Sequence, residues 1–211
     1  MTTVGGPFEA IVLAAGAGVR FGGRKLTAPW GAGLLIDGAL VAAFASPALR
    51  VTVVAGADAG VGPAARRFVK ARGEGSRLRL VHAADHQAGM AASLRAGLSA
   101  LSADTAAVFV FLGDMPAIPR DLPALLAAEL LRTGAAACAP LHLGERGHPV
   151  LFAAELFDDL RRLEGDHGAR AVLDALGERL ALLPTDDGGT RYDIDAPATL
   201  QRLCPNPMPK L

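Results

Sequence analysis

The sequence predicts an α/β protein whose central, mostly parallel sheet is covered by helices on both faces. Short apolar segments alternate with helical segments over residues 10–134, a rhythm that is typical of parallel sheets. The segment AAVFVFLGD at residues 106–114 is apolar on both faces, as a central parallel strand should be. Alanine is abundant along the chain, and it favours helices and close helix packing. Together these observations predict three layers, with the sheet between two layers of helices.

Four predicted strands alternate with four predicted helices in the first part of the chain, and each strand is followed by a helix. The strands cover residues 10–15, 50–56, 78–83 and 106–114. The helices cover residues 34–46, 61–73, 90–101 and 121–134. Asp121 is a candidate cap for the last of these helices, and Gly134 marks its end because glycine commonly terminates helices.

The alternation changes after residue 134, where short strands outnumber helices. The predicted strands there cover residues 135–143, 147–152, 179–185 and 190–196, and helical segments cover residues 153–165 and 167–178. Neither a linker rich in proline or serine nor an internal repeat interrupts the chain. We therefore predict one domain over residues 1–211, with its core at about residues 10–200 and an irregular, proline-containing tail at residues 204–211.

Charge and composition narrow the classes of partner. The chain has 21 basic and 21 acidic residues, so its formal charge is zero, whereas proteins that grip nucleic acid through phosphates usually carry a basic excess. Aromatic residues are only 5% of the chain, which argues against a stacking platform for single strands. A hydrophobic content of 51% excludes disorder as a global description. We expect no nucleic acid partner.

The cysteines and the apolar segments predict a cytoplasmic protein. Cys138 and Cys204 are too few for a disulfide framework, and Cys138 is expected to be a buried thiol in an apolar strand. The first ten residues lack the pattern of a signal peptide, and the apolar runs are well short of the ~20 residues that span a bilayer. His82 and His86 follow a predicted strand without a third ligand, so no metal site is expected there.

A glycine-rich, basic loop follows the first predicted strand, at the sheet edge where α/β proteins bind ligands. Its glycines are Gly16, Gly18, Gly22 and Gly23, and its cations are Arg20, Arg24 and Lys25. The loop is not a dinucleotide fingerprint, because Phe21 stands where the third glycine belongs, and it is not a P-loop, because Arg24 separates Gly23 from Lys25. Glycines allow backbone amides to approach phosphates and cations neutralise them, which predicts a phosphate-binding loop. The alternative is an ordinary glycine-rich turn.

Asp114 stands at the carboxyl end of the predicted central strand, in FLGDMP. A carboxylate beside a cationic phosphate loop suits a Mg²⁺ ion that bridges phosphate oxygens. The alternative role is a cap for the turn before Pro116.

A second pair of carboxylates, Asp193 and Asp195, lies in YDIDAP near the end of the chain. In a strand, alternation would place both on one face and Ile194 on the other. Asp195 could instead cap a last helix that has Pro197 in its first turn. The sequence leaves open which of the two aspartates is a second metal ligand.

Several segments resemble the MobA-like nucleotidyltransferases, most closely the molybdenum cofactor cytidylyltransferase branch. LAAGAGVRFGGRK is similar to the signature that opens these proteins. GMAASLRAGL, LGDMP, RGHPVLF, GDHGAR and DIDAP resemble the branch in the same order, so the resemblance covers about residues 10–200. It implies a Rossmann-like α/β/α nucleotidyltransferase fold.

The resemblance also implies a reaction and its residues. In this reaction an acceptor phosphate attacks the α-phosphorus of a nucleoside triphosphate, and pyrophosphate leaves with the help of Mg²⁺. The implied nucleotide-binding residues are Leu13, Ala14, Ala15, Gly16, Gly18, Arg20, Lys25 and Ser93. The implied catalytic residues are Arg20, Lys25 and Asp114, the implied metal ligands are Asp114 and Asp195, and the implied acceptor-binding residues are Gly147, His148 and Pro149.

The chemistry of the reaction agrees with the residues that the chain offers. Transfer to a phosphate anion needs positioning and charge neutralisation more than a strong base, and Lys25 and Arg20 can neutralise the leaving pyrophosphate. Ser93 lies in the first turns of a predicted helix whose free amides could meet a base or ribose.

The substrates that the resemblance implies are CTP and a molybdopterin-type acceptor, with a molybdoenzyme as a further partner. Relatives specific for GTP carry LAGG where this chain has LAAG, so Ala15 favours a pyrimidine. The alternatives are GTP, another phosphorylated acceptor, or a non-catalytic chaperone that binds the cofactor of a molybdoenzyme.

Overall fold

The computed structural model describes residues 6–166 and 168–195. The strands are β1 (Phe8–Ala14), β2 (Pro29–Trp30), β3 (Gly33–Leu34), β4 (Arg50–Ala55), β5 (Leu78–His82), β6 (Ala107–Leu112), β7 (Ala137–His142), β8 (Glu145–Arg146), β9 (Val150–Ala153) and β10 (Leu180–Pro184). The helices are α1 (Leu35–Ala45), α2 (Val61–Lys70), α3 (Met90–Leu98), α4 (Leu122–Thr133), α5 (Phe157–Arg161) and α6 (Arg170–Ala175).

Eight strands form the central sheet, in the order β10-β7-β9-β6-β1-β4-β5, with β8 paired to β7. The strands β5, β4, β1 and β6 are all parallel, and β10 is parallel to β7. The strand β9 runs antiparallel between β6 and β7, and β8 is antiparallel to β7. The mostly parallel, Rossmann-like sheet that the sequence predicts is therefore confirmed.

Helices cover both faces of this sheet, and β1 and β6 supply side chains alternately to the two faces. Ala10 and Val12 of β1 pack in a core with α1, α2 and α4, whereas Ile11 packs in a second core with α3, α5 and α6. Phe109 and Val110 of β6 divide between the same two cores. The period of two along a strand explains this division.

Several predicted elements differ from the observed ones. Residues 190–195 form no strand: a short 3₁₀ turn at Gly188–Thr190 is followed by irregular backbone. Ile194 is fully buried and its amide donates to the carbonyl of Asp114 at 3.1 Å, so a core anchor replaces a strand ladder there. The strand predicted from residue 147 begins at Val150, just after Pro149, which has no amide hydrogen for a ladder. Residues 196 and 204–211 lie outside the described part.

The short elements escaped prediction because their sequence signal is weak. The antiparallel hairpin of β2 and β3 and the strand β8 have only two residues in each strand. Asp121 lies at the N-cap position of α4 without a capping hydrogen bond from its side chain, whereas Gly134 ends α4 in the left-handed conformation as predicted. In the part of the chain that the structure describes, no helix has the length and apolar character needed to cross a membrane.

Candidate active site

The glycine-rich loop after β1 folds back on itself through left-handed glycines. Gly18 has φ 58°, and its carbonyl accepts the amides of Phe21 at 2.9 Å and Gly23 at 3.1 Å. A Cβ atom on Gly18 would lie 3.0 Å from the Cβ of Lys25. A larger residue at position 18 would therefore meet both an unfavourable backbone conformation and a close contact with Lys25.

Arg20, Lys25, Asp114 and Asp195 come together at the carboxyl ends of β1 and β6, and we call them the charged cluster. Lys25 Nζ lies 2.7 Å from Asp114 Oδ2 and 3.4 Å from Asp195 Oδ1. Arg20 Nη1 lies 3.7 Å from Asp195 Oδ2. The side chain of Lys25 is 13% exposed and that of Arg20 is 86% exposed, so the cluster has an enclosed end and an open end. Three segments far apart in sequence supply it.

Backbone hydrogen bonds hold the two carboxylates of the cluster in place. The amide of Gly113 donates to the carbonyl of Leu13 at 2.9 Å, which ties the end of β6 to β1. The bond from the amide of Ile194 to the carbonyl of Asp114 brings the next residue, Asp195, beside Lys25. The buried side chain of Ile194 acts as the anchor.

The structure distinguishes the two late aspartates. Asp195 forms ion pairs with Lys25 and Arg20, whereas Asp193 forms no ion pair with any residue that the structure describes. Asp193 and Asp195 are both exposed residues, and Ile194 between them is buried in the core. Of the two, Asp195 is the one that joins Asp114.

The carboxylates of the charged cluster suit a hard divalent cation. Asp114 and Asp195 both reach Lys25 Nζ, so their oxygens converge on one point, and oxygen is the ligand that Mg²⁺ prefers. Within residues 6–166 and 168–195, no three His, Cys, Asp or Glu side chains are grouped as a metal site. A cation held here would complete its ligands from water and phosphate oxygens, as Mg²⁺ commonly does. A space of about 280 Å³ beside Arg20 and Lys25 leaves room for such groups.

A larger space of about 680 Å³, which we call the large cavity, is lined by Leu13 and Leu112 near the carboxyl ends of β1 and β6, and by none of the four residues of the charged cluster. Its walls combine polar and apolar side chains, and the apolar ones include Leu94 of α3, Val110 of β6, Phe152 of β9 and Leu173 of α6. Leu112, which directly precedes Gly113 and Asp114, also lines it. The volume is within the range of small-molecule sites, and the position of Leu112 shows that the cavity reaches the end of β6 that carries Asp114.

The segment Gly147–Pro149 borders the large cavity and is held by two backbone hydrogen bonds. The amide of Gly147 donates to the carbonyl of Pro140 at 2.9 Å, and the amide of His148 donates to the carbonyl of Thr190 at 2.8 Å. A Cβ atom on Gly147 would lie only 2.4 Å from that carbonyl oxygen of Thr190. Gly147 and His148 line the cavity, and Pro149 is buried.

His148 carries an enclosed nitrogen: its Nδ1 is buried without a hydrogen-bond partner among the described residues. Burial lowers the pKa of His148, although the carbonyl of Val110 and the charges of Asp114 and Asp193 act in the opposite direction. A lowered pKa keeps the imidazole neutral at pH 7, so it can act as a hydrogen-bonding group but contributes no positive charge to the cavity.

The start of α3 differs from the sequence prediction. The first amides of the helix are not free: Met90 donates to Asp166 Oδ1 at 3.1 Å, and Ala91 donates to the carbonyl of Gly165 at 3.1 Å. Gly89, with φ 102°, permits this contact, because a Cβ there would lie 2.6 Å from Asp166 Oδ1. The prediction of free amides is wrong because a segment 76 residues away caps the helix.

Two of the predicted nucleotide-binding residues are largely enclosed. Ser93 is 6% exposed within α3, and the residues of α3 that line the large cavity are Met90 and Leu94. Ala15 is 2% exposed, and its Cβ would lie 2.8 Å from a Cβ atom on Gly56. The methyl group of Ala15 therefore packs into the protein and does not project from the loop.

The remaining predicted nucleotide-binding residues lie around the end of β1. Leu13 lines the large cavity, Ala14 is buried, and Gly16 is exposed with open space around it. Sequence reasoning missed Asp166 and Arg170, which border the cavity from the GDHGAR segment. Gly89 was the available signal, since it permits the backbone of Gly165 to approach closely.

Cys138 and the early histidines lie apart from the charged cluster. Cys138 is fully buried in β7, as predicted, and burial raises the pKa of its thiol to about 12, so the thiol stays protonated. His86 Nδ1 lies 3.0 Å from the carbonyl of Ala83, and the rings of His82 and His86 are 6.3 Å apart.

Comparison with known proteins agrees with this geometry. Residues 10–180 match the model of the family described as the MobA-like NTP transferase domain. The chain belongs to the MobA-like NTP transferase family. The match includes the glycine-rich loop, Asp114 and the Gly147–Pro149 segment, and the chain is accordingly a nucleotidyltransferase by family.

Individual relatives span nearly the whole chain. The chain is 29% identical over 192 residues to the molybdenum cofactor cytidylyltransferase of Escherichia coli (strain K12), covering 90% of this chain and 91% of that protein. A solved structure from Mycobacterium sp. strain JC1, of a homologue of Mycobacterium tuberculosis Rv0371c, matches with a TM-score of 0.76 and 25% identity, covering 93% and 94% of the two chains. Rv0371c from Mycobacterium tuberculosis H37Rv in complex with manganese shares the fold, with a TM-score of 0.70 and 21% identity over 94% and 98%.

Proposed function

We propose that the protein transfers CMP from CTP to the phosphate of a molybdopterin-type acceptor in the cytoplasm and releases pyrophosphate. The observation that carries the proposal is that Asp114 of the charged cluster follows two residues after Leu112, the residue of β6 that lines the large cavity. A phosphate loop, two convergent carboxylates and a cavity for an organic acceptor are the three parts that such a transfer needs. The Escherichia coli relative, named for cytidylyl transfer to the molybdenum cofactor, supports the choice of substrates.

Each part of the charged cluster has a role in this reaction. Lys25 and Arg20 neutralise the negative charge that grows on the leaving pyrophosphate. Asp114 and Asp195 would hold Mg²⁺, which would offset the charge of the triphosphate. An oxygen of the acceptor phosphate forms a bond to the α-phosphorus, and the bond from that phosphorus to the bridging oxygen breaks. Pyrophosphate leaves with the electron pair, so no strong base is required.

The binding residues divide between the two substrates. Leu13, Ala14, Ala15, Gly16 and Gly18 place the loop backbone against the nucleotide, and Ser93 supports the base side from α3. Gly147, His148 and Pro149 face the acceptor across the large cavity. The neutral imidazole of His148 offers a hydrogen bond to the acceptor without adding charge.

The proposed preference for CTP rests on Ala15, and the burial of its methyl group changes how this residue would act. Because the methyl group of Ala15 packs against Gly56, residue 15 acts by setting the position of the loop backbone and not by touching the base. Replacing Ala15 by glycine would loosen that packing and allow the loop to shift. A shifted loop admits a larger base, so Ala15→Gly should relax the preference toward GTP.

The test is pyrophosphate release by the purified protein with each of the four nucleoside triphosphates, with molybdopterin as acceptor and Mg²⁺ present. We expect release with CTP that depends on both acceptor and metal, and a lower kcat/KM for GTP. The variant Ala15→Gly should narrow the CTP-to-GTP ratio, and Ala17→Gly, in the exposed part of the same loop, should leave it unchanged.

Three outcomes would change the proposal. Equal kcat/KM values for CTP and GTP in the wild type would reject the base preference and leave the transfer itself. Release with a different phosphorylated acceptor but none with molybdopterin would reject the acceptor. Binding of molybdopterin without release from any triphosphate would instead support a non-catalytic chaperone that delivers the cofactor to a molybdoenzyme.

A further inference from the structure

Four charged side chains line the large cavity, and most of them are engaged within the protein. Glu145 forms an ion pair with Arg191, and Arg146 forms an ion pair with Asp174. Both pairs tie the β8 hairpin to neighbouring segments, so their charges are largely compensated. Neither pair offers a free charge to a molecule in the cavity.

The other two charged side chains, Asp166 and Arg170, differ from each other. Asp166 accepts the first amide of α3 and is used as a remote cap for that helix. Arg170 begins α6, is exposed toward the cavity, and makes no ion pair or hydrogen bond with any residue that the structure describes. Arg170 is therefore the one lining cation of the described residues whose charge is uncompensated.

The surroundings of Arg170 favour an anionic ligand. Apolar side chains such as Val110, Phe152 and Leu173 line the same cavity, and burial lowers the pKa of His148, which also lines it. An isolated guanidinium beside an apolar wall attracts a negative group more strongly than a cation in open water does. Its planar fork also matches phosphate or carboxylate oxygens in a bidentate pair.

We propose that Arg170 binds an anionic group of the acceptor and thereby determines which acceptors the large cavity takes. That the bound molecule is the acceptor rests on the proposed nucleotidyl transfer. The binding of an anion at Arg170 does not depend on it. The ligand class is an organic molecule with a flat or apolar body, which the walls cover, and a phosphate or other oxyanion, which Arg170 holds. The same body without its anion should bind much less tightly.

The kinetic test compares Arg170→Gln with wild type under the conditions of pyrophosphate release. Loss of one charge-assisted contact should raise the KM for the acceptor about tenfold or more, while the KM for CTP and the kcat at saturating acceptor stay near wild type. Arg170→Lys, which keeps the charge and loses the fork, should fall between the two. Arg179→Gln is the matched control, because Arg179 pairs with Glu155 and does not line the cavity.

A binding test separates this inference from the proposed function. The probe is 1-naphthyl phosphate, which joins a flat apolar body to a phosphate, and the reference is neutral 1-naphthol, both measured by calorimetry on the full chain. We expect Arg170→Gln to bind naphthyl phosphate about tenfold more weakly than wild type and to bind naphthol equally well. Circular dichroism of each variant shows whether the fold is kept, and Arg170→Lys provides a second folded variant.

The outcomes are distinct. If no triphosphate supports release but the naphthyl phosphate result holds, the proposed transfer fails and the anion site at Arg170 stands. If release occurs and Arg170→Gln has an unchanged acceptor KM, the inference about Arg170 fails and the transfer stands. Wild-type protein that does not bind naphthyl phosphate, or binding that weakens in Lys25→Met but not in Arg170→Gln, would also overturn the inference, the latter by placing the phosphate at the charged cluster.

Discussion

The carboxyl ends of β1 and β6 and the half of the sheet beyond β6 build different kinds of site. The strands β1 and β6 are parallel neighbours, and the loops that leave their carboxyl ends bring Lys25 and Asp114 within 2.7 Å of each other. On the other side of β6, the antiparallel strand β9, its neighbour β7 and the next strand β10 contribute apolar side chains to the large cavity. One region concentrates charge in a small space, and the other combines apolar side chains with four charged ones around a large space.

The difference shows how one fold can divide a transfer reaction. Parallel strands end at a common edge, so charged residues that follow adjacent strands converge without special pairing. A cavity wall is built from side chains along the strands. Here one of those strands, β9, is antiparallel to its neighbours β6 and β7. We therefore expect substitutions in the charged cluster to change the rate, and substitutions around the cavity to change binding and stability.

The largest effect is expected for Lys25→Ala. Lys25 is the enclosed cation of the charged cluster and contacts both carboxylates. Its loss removes a positive charge that would neutralise the leaving group, and it leaves Asp114 and Asp195 without their shared ion-pair partner. Pyrophosphate release should be abolished while the far-ultraviolet circular dichroism spectrum is kept. Lys70→Ala, an exposed cation at the end of α2, is the control, and near wild-type turnover of Lys25→Ala would remove Lys25 from the mechanism.

The next effect is expected for Asp114→Asn, which keeps the shape of the side chain and removes its charge. Loss of a charge contact in the transition state typically lowers the rate on the order of 10²–10³-fold, and the Mg²⁺ concentration needed for half-maximal activity should rise. Measurement of release across a Mg²⁺ titration checks both. A lower melting temperature with little change in rate would show that Asp114 is only a cap, and Asp121→Asn serves as the control.

A smaller effect, on the link between the two regions, is expected for Gly147→Ala. The added methyl group would lie 2.4 Å from the carbonyl oxygen of Thr190, so the backbone that leads to Asp195 must shift. Overpacking of this kind costs about 1–3 kcal/mol of unfolding free energy, which urea denaturation measures. Activity should fall as well because Asp195 moves. Gly75→Ala, where a Cβ meets open space, should lower the unfolding free energy much less. Equal losses for the two variants would show that Gly147 does not link the cavity segment to the charged cluster.

The smallest effect is expected in the pH dependence of stability, through His148. Its folded-state pKa lies below the ordinary value of 6.5, so below pH 6.5 the unfolded chain binds a proton that the folded protein resists. This contribution to stability is present above pH 6.5 and is lost as the pH falls toward the folded-state pKa. His148→Gln should therefore lose less stability than wild type between pH 7 and pH 5 in urea denaturation. Parallel curves for the two proteins would contradict the buried, neutral imidazole, and His82→Gln, at an exposed position, is the control.

The sequence by itself determined the layers of the fold and most of the charged cluster. The apolar segment at residues 106–114 predicts a buried central strand, which the structure has at Ala107–Leu112, and the glycines and cations after the first strand predict a phosphate loop, which stays a prediction. Because parallel strands end together, Arg20, Lys25 and Asp114 could be predicted as neighbours from their places in the chain. Their contacts within one cluster follow that prediction.

Only the tertiary structure decided the arrangements that depend on distant contacts. The choice of Asp195 over Asp193 follows from the buried anchor Ile194 and its bond to Asp114, which no local alternation reveals. The capping of α3 by Asp166 joins segments 76 residues apart, and the burial of Ala15 depends on Gly56 from another strand end. The strand β9, which contributes Val150 and Phe152 to the large cavity, lies antiparallel between β6 and β7. Such pairings are set by the packing free energy of the whole core, and a single sequence carries no local signal of that quantity.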